Sequence, residues 1–331
     1  MSRTFPRFSR AAFSLLELLV AMVILSTILL ISFSVMEQTV KIWRQSMGTL
    51  EAFQGARSAF DSITRNIGQA TLNTYLDYDD PDNPQRYLRK SELQFVIGET
   101  GAGGLPGTPN TGTGVFFQAP LAYTADTAAY GGMDGALNVG GYYVAFGEDT
   151  SLPPHVTSAP GYTPRYRYRL MNLLVPTEDN KIFDNISQTA SNFDWFRNKP
   201  DFAFPLAENI IAFVVHPEVP DDPTVYSSLG LNTLDGWKSN PQPVTANQLP
   251  PVLSVTIVAI DESSAIRLEN GADEPARIAS ALTTFQTDVA AKPRDISKAL
   301  ENLESKLADA RINFRVFTTK IPMRESKWSK N

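Results

Sequence analysis

The chain has 331 residues, no cysteine, two histidines and a formal net charge of −6. Without thiols there is no disulfide framework, no thiolate metal site and no cysteine nucleophile, and His155 and His216 alone leave little room for metal or acid–base chemistry. The acidic balance argues against a general nucleic-acid coat, and the length fits one large domain or two small ones. Residues 1–12 carry Arg3, Arg7 and Arg10 and no acid. From Leu15 to Val35 the chain is apolar except for Glu17 and small hydroxyl residues. About 20 residues at 1.5 Å rise cross a bilayer core of ~30 Å. A cleavable secretory signal has a shorter apolar core of ~7–15 residues ending at a small-residue site. This run is longer and continues into a helical pattern, so a membrane helix is expected. The arginines before it place the N-terminus on the cytoplasmic side and send the rest outward.

Glu17 is the unusual residue. Ser14-Leu15-Leu16-Glu17 has capping-box spacing, in which the serine caps the N3 amide and the acid reaches back. Near the interface a carboxylate also costs less than the ~2.5–3.5 kcal/mol of a charge at mid-membrane. These two explanations make Glu17 tolerable without giving it a purpose.

The run "AAFSLLELLVAMVIL" (residues 11–25) resembles the N-terminus of type IV pilins and pseudopilins. The resemblance implies removal of a basic leader by a prepilin peptidase between Ala12 and Phe13, then methylation of the new Phe13 amine. Ala12 stands where the family usually has glycine, and it keeps a small residue at the junction. Glu17 becomes the fifth residue of the mature chain, where the family carries an acid thought to neutralise the terminal amine of a neighbouring subunit during fibre assembly. An ammonium in a low-dielectric layer is costly unless paired. At i+4, Glu17 can also face the amine of its own Phe13, so both the intra- and inter-subunit pair remain open. Trimming lowers Lys+Arg from 29 to 26 against 35 acids, giving a mature net charge of −9.

Beyond Val35 the apolar positions Met36, Val40, Trp43, Met47, Leu50, Phe53, Phe60, Ile63 and Ile67 recur at three- and four-residue steps, as on an amphipathic helix. No proline interrupts between Pro6 and Pro81. The pattern predicts one helix of ~60 residues, roughly 90 Å long, with a transmembrane and assembly part at 13–35 and an amphipathic continuation at 36–76. From residue 77 onward a β-rich globular domain is expected, on the outer, periplasmic side. "ELQFVIG", "GVFFQAP", "GGYYVAFGE", "YRYRLMNLLV", "ENIIAFVVHPEV", "PVLSVTIVAID" and "INFRVFTTKI" read as strands, separated by Pro/Gly-rich loops. Two late helices are expected at about 275–310: Pro275 suits a helix start, and Ile296, Leu300, Leu303 and Leu307 form an apolar stripe. The fold class is therefore α+β, a long N-terminal helix packed on a mainly antiparallel sheet, as in pilins. "FPLAENIIAFVVHPEV", Gly236-Trp237 and "QLPPVLSVTIVAID" further resemble the J-type minor pseudopilin of type II secretion systems, although the helical insert at ~272–310 departs from that family's compact form.

Other chemistry finds little support. "GETGAGGLPG" has G-x-G at Gly101 and Gly103, but Pro106 and Pro109 bar the helix N-terminus that a phosphate site needs. "YLDYDDPDNPQ" gathers Asp77, Asp79, Asp80 and Asp82, hard oxygen ligands suited to calcium. Prolines 81 and 84 break EF-hand spacing, so a solvated turn ending the helix is the expectation and calcium the alternative. "RYRYR" puts Arg165, Arg167 and Arg169 on one strand face and Tyr166 and Tyr168 on the other, which reads as a half-buried strand with a charged outer face rather than a nucleic-acid platform. His216 is expected to be a packed or surface residue. The sequence thus points to a structural subunit, not an enzyme, without a cofactor. Its implied partners are prepilin peptidase, other pilins or pseudopilins, an inner-membrane assembly platform and membrane lipid, with no nucleic acid. A DNA-uptake or surface-pilus subunit is the alternative, and a membrane-anchored exported enzyme is a third.

Overall fold

The computed structural model describes residues 15–328 except 104, 134, 150–152, 185–192, 221, 223, 227 and 294; side chains 44–52 and 154 are also outside the description. The chain divides into two compact units, Met1–Gly48 and Thr49–Asn331.

The first unit is helical throughout its described residues, as the beginning of α1 (Leu15–Ile67). Its Leu15–Trp43 stretch contains an 18-residue window with a mean hydropathy of 2.7, and none of its residues is buried in the protein. The hydroxyls in this stretch are closed locally. Thr27 donates to the Val23 carbonyl at 2.8 Å, Ser32 to Ile28 at 2.8 Å, Ser34 to Ile31 at 2.9 Å and Thr39 to Val35 at 2.8 Å. In hydrocarbon an unmade hydrogen bond is expensive, and these contacts let the polar residues stay in an apolar run.

In the second unit the end of α1 becomes amphipathic. Ala56, Ala59, Phe60, Ile63 and Ile67 are buried along one stripe, with Phe60 against Phe317 at 6.0 Å between ring centroids. Asn66 donates to the Tyr142 hydroxyl at 2.8 Å. The helix stops at Ile67 rather than running to residue 76. Gly68 closes the last turn with its N–H on the Thr64 carbonyl, and the Thr71 N–H is already donated to Gln118. Ala70 and Leu72 enter the core, so tertiary contacts take the chain from the helix before any proline does.

The elements that follow are β1 (Tyr75–Tyr78), β2 (Tyr87–Lys90), β3 (Val96–Glu99), β4 (Thr113–Pro120), α2 (Thr127–Tyr130), β5 (Leu137–Glu148), α3 (Pro154–Thr157), β6 (Tyr166–Val175), α4 (Asp194–Arg197), β7 (Ala203–Glu208), β8 (Ile210–Glu218), β9 (Leu231–Asn232), β10 (Val252–Ile260), α5 (Glu262–Leu268), α6 (Ala276–Ala291), α7 (Ser297–Asp309) and β11 (Phe314–Pro322). They form a six-stranded sheet ordered β7-β6-β5-β4-β3-β9, a three-stranded sheet ordered β11-β10-β8, and a separate β1-β2 hairpin. The strand pairings are antiparallel, which agrees with the α+β class read from the sequence. The late helices α6 and α7 bury Ile278, Leu282, Phe285, Leu303 and Leu307; the last two belong to the predicted stripe, whose Ile296 and Leu300 are half-buried.

Two local devices join the sheets. Residues 111–113 lie along β8, with the Phe213 N–H on the Thr111 carbonyl at 2.9 Å and the Val215 N–H on the Thr113 hydroxyl at 2.8 Å. Gly112 between them has φ +107, and a Cβ there would come within 2.1 Å of the Phe213 oxygen, so only glycine fits. The chain changes sheets at Asn209, where the sequence suggested one continuous strand. Asn209 has φ +60, a conformation asparagine tolerates. Its N–H reaches Tyr168 at 2.8 Å, its carbonyl accepts from Ile260 at 2.9 Å, and its side chain donates to Glu262 at 2.6 Å.

The arginine face of β6 differs from the expected charged outer surface. Arg167 and Arg169 are buried. Arg167 lies between Glu262 at 3.3 Å and Glu269 at 3.0 Å, and Arg165 contacts Asp149 at 2.8 Å, Glu208 at 3.3 Å and Glu262 at 3.6 Å. Acids from β7, α5 and the residue following α5 cover a face that alternation alone would leave in water.

Candidate functional site

The predicted processing junction, Ala12 and Phe13, and the predicted cap Ser14 lie outside the described residues. Description begins two residues after Phe13, with Glu17 exposed in the first turn of α1. Glu17 is the only charged residue from Phe13 to Met36. The first turn of a helix has amide N–H groups with no partner inside the helix and carries the positive end of the dipole, so an acid is favoured there. Glu17 lies four residues after Phe13 in the sequence. The apolar stretch Leu15–Trp43 has 29 residues, or about 43 Å of helix, against a hydrocarbon core of ~30 Å. Lys41 and Trp43 mark its far end, a usual interfacial pair. No residue of this stretch is buried in the protein, so its apolar side chains lie open to their surroundings.

The acidic run is the tip of the β1-β2 hairpin, not a turn ending the helix. Asp77 accepts from Lys90 at 2.8 Å and from the Tyr78 N–H at 2.8 Å; the lysine first, then that amide, hold its carboxyl below the usual range. Asp79 accepts the N–H groups of Gln85, Asp80 and Arg86 and the Arg86 side chain at 3.4 Å, and its pKa is lowered mainly by the Gln85 amide. Asp80 accepts from the Asp82 N–H at 2.9 Å. Asp77, Asp79 and Asp80 thus serve the hairpin, and among the described residues no three His, Cys, Asp or Glu side chains converge as metal ligands.

His216 is packed inside, at the edge of a cavity of about 590 Å³ lined also by Glu218, Tyr226 and Lys320. Burial lowers its pKa, and its Nδ1 has no hydrogen-bond partner among the described residues. In "GETGAGGLPG" Gly98 and Glu99 end β3, the described residues after them form turns, and β4 rather than a helix is the next element. Sequence reading missed the exposed aromatic side chains of the β1-β2 hairpin and the buried ion network on β6; the alternating "YLDY" before the acids was the available signal for the first.

Comparison with known families gives one finding: residues 7–33 match the prokaryotic N-terminal methylation motif. No curated protein and no solved structure matches the chain. The matched residues include the Ala12/Phe13 junction, Glu17 and most of the apolar run. Over residues 7–33 the chain is similar to the N-terminal segment of the type IV pilin-like family.

Proposed function

We propose that the protein is a minor pseudopilin, of J type, in a type II secretion-like fibre. It enters the inner membrane with its N-terminus in the cytoplasm and its globular domain in the periplasm. Prepilin peptidase cuts between Ala12 and Phe13, and Phe13 is methylated. The subunit then leaves the lipid by bundling its apolar helix with those of other pseudopilins on the inner-membrane assembly platform. Glu17 neutralises a terminal ammonium in that bundle, its own or a neighbour's. The role is structural; no catalytic step is assigned. The observation that carries the reading is the coincidence, within residues 7–33, of the methylation motif with a helical run whose one acid there is Glu17 and none of whose described residues is buried. The J-type assignment rests on the order of strands and on the Gly236-Trp237 and Leu249-Pro250 features.

The test is mass spectrometry of the N-terminus after co-expression with a prepilin peptidase. The expected product begins at methylated Phe13 and lacks residues 1–12. A chain that keeps Met1 in the presence of active peptidase would overturn the processing step and the assembly role built on it.

A further inference from the structure

The β1-β2 hairpin carries an interaction surface separate from the assembly helix. Its register pairs Tyr75 with Lys90, Leu76 with Arg89, Asp77 with Leu88 and Tyr78 with Tyr87, and the Asp79 N–H bonds the Arg86 carbonyl at 3.1 Å. Because hydrogen-bonded and non-bonded pairs alternate in an antiparallel ladder, Tyr75, Asp77 and Asp79 face β2. The main-chain groups of Leu76 and Tyr78 therefore point away from it. The outer edge of β2 is closed: the Arg89 N–H is taken by the Gln242 side chain at 3.0 Å, and its carbonyl by Gln242 at 2.8 Å and Asn247 at 2.7 Å. The corresponding edge of β1 is open. The Tyr78 N–H is closed by Asp77, but the N–H and C=O of Leu76 and the C=O of Tyr78 have no partner among the described residues.

The side chains beside that edge are apolar and exposed. Leu88 is buried, so the opposite face of the hairpin looks outward. On it Leu76 is 68% exposed, Tyr87 65% and Tyr78 43%. The two tyrosine rings stack at 4.9 Å and fix a flat platform. A cavity of about 820 Å³ runs beside it, between the hairpin and Asn240–Gln242. An aromatic and aliphatic surface next to one unpaired strand amide and two unpaired carbonyls marks an interaction site more than a solvated turn. The charge at the tip indicates the partner. Asp77 and Asp79 have their cations in Lys90 and Arg86, whereas Asp80 and Asp82 have none within 4.0 Å among the described residues. Two copies of a chain at −9 after trimming repel each other, and two such tips add to the repulsion.

We propose that the open edge of β1 is a strand-addition site for an extended, cationic segment of a different protein. The segment's main chain pairs with Leu76 and Tyr78, its apolar side chains lie on Leu76, Tyr78 and Tyr87, and a lysine or arginine reaches Asp80 and Asp82. Main-chain pairing gives affinity in such additions and the alternate side chains give selectivity.

The test uses the full chain in detergent micelles and a fluorescein-labelled peptide of alternating valine and lysine, followed by anisotropy. Two controls are a valine–glutamate peptide and a valine–lysine peptide N-methylated at alternate residues, which keeps the charge and cannot add as a strand. Binding of the first peptide, weakened at least about tenfold in both controls, is expected. Leu76→Pro removes the outward N–H while leaving the β1-β2 bonds in place, and Asp80→Asn with Asp82→Asn removes the tip charge; each weakens binding by about tenfold. Leu76→Ser keeps the amide and, with an unchanged melting temperature, separates loss of the edge from loss of fold. No binding, equal binding of the N-methylated peptide, or binding insensitive to both sets of variants overturns the proposal. Concentration-dependent self-association through the hairpin, lost in Leu76→Pro, would overturn the choice of partner. None of these outcomes depends on cleavage after Ala12.

Discussion

Arg167→Ala tests the buried network on β6. The Arg167 side chain is 3% exposed and contacts Glu262 at 3.3 Å and Glu269 at 3.0 Å; it also donates to the Tyr166 carbonyl at 2.8 Å. Removing one partner of a buried ion pair costs about 3–5 kcal/mol, because the remaining charge is left in a poor solvent. Here Glu262 keeps Arg165 at 3.6 Å and Asn209 at 2.6 Å, and Glu262 and Glu269 are 28% and 26% exposed, so water reaches them and the lower end applies, about 3 kcal/mol. For a domain of this size each kcal/mol lowers the melting temperature by roughly 2–4 °C, giving a drop of about 6–12 °C. The comparison is Arg169→Ala on the same strand face. Arg169 is 8% exposed, and among the described residues its guanidinium makes no ion pair, although Glu208 is its cross-strand neighbour. Its truncation forfeits chiefly the packing of the stem, about 1 kcal/mol. Calorimetry of the two variants and the parent, in the same detergent and at neutral pH, measures the difference. An Arg167→Ala chain melting within about 2 °C of the parent, or falling no further than Arg169→Ala, would refute the reasoning. Replacing the whole network by apolar residues is a different experiment, because that removes the stranded charges as well.

Glu17→Ala is expected to insert in the membrane as the parent does and to enter fibres at least about tenfold less well, since an ammonium–carboxylate pair at ~4 Å is worth about 1–4 kcal/mol between water and a protein-like medium. Membrane fractionation and the yield of sheared fibre measure the two steps, and normal fibre yield removes the role given to Glu17. Glu208 has its pKa raised above the ordinary 4.5, first by burial and against the pull of Arg165. The folded state then binds the proton more tightly than the unfolded one, so this group's contribution is most favourable below 4.5 and is lost as pH rises through the raised value. Glu208→Gln should raise the melting temperature at neutral pH and lose that advantage in acid; the opposite pH trend would reverse the assignment. Calcium should leave the melting temperature of the full chain unchanged, because Asp77 and Asp79 are engaged within the hairpin. A rise on adding calcium that chelator reverses would show that the tip rearranges into a site.

What could be read from the sequence follows the range over which each feature is determined. Strands such as β10 declare themselves through alternation of Val255 and Ile257 with Ser254 and Thr256, and the stripe of α7 through Leu300, Leu303 and Leu307; both are periodicities of the segment itself. The end of α1 is not local. Residues 68–74 hold no proline, and the helix stops because Thr71 finds Gln118 and because Ala70 and Leu72 find the core. The β1-β2 hairpin was hidden for a related reason. Its strands have four residues each, too few for a period to stand out beside four aspartates and two prolines. "RYRYR" gave the two faces correctly and the solvent side wrongly, because Glu262 and Glu269 come from about a hundred residues further along the chain. The same distinction separates the two contacts proposed for the protein. The docking proposed for α1 rests on one continuous stretch, where Glu17 and the junction before Phe13 are recognised by spacing alone, and so a linear motif finds it. The open edge of β1 has meaning only because Gln242 and Asn247, some 150 residues downstream, close β2 and leave β1 unpaired. A surface of that kind becomes visible only when each outward amide is followed to its partner.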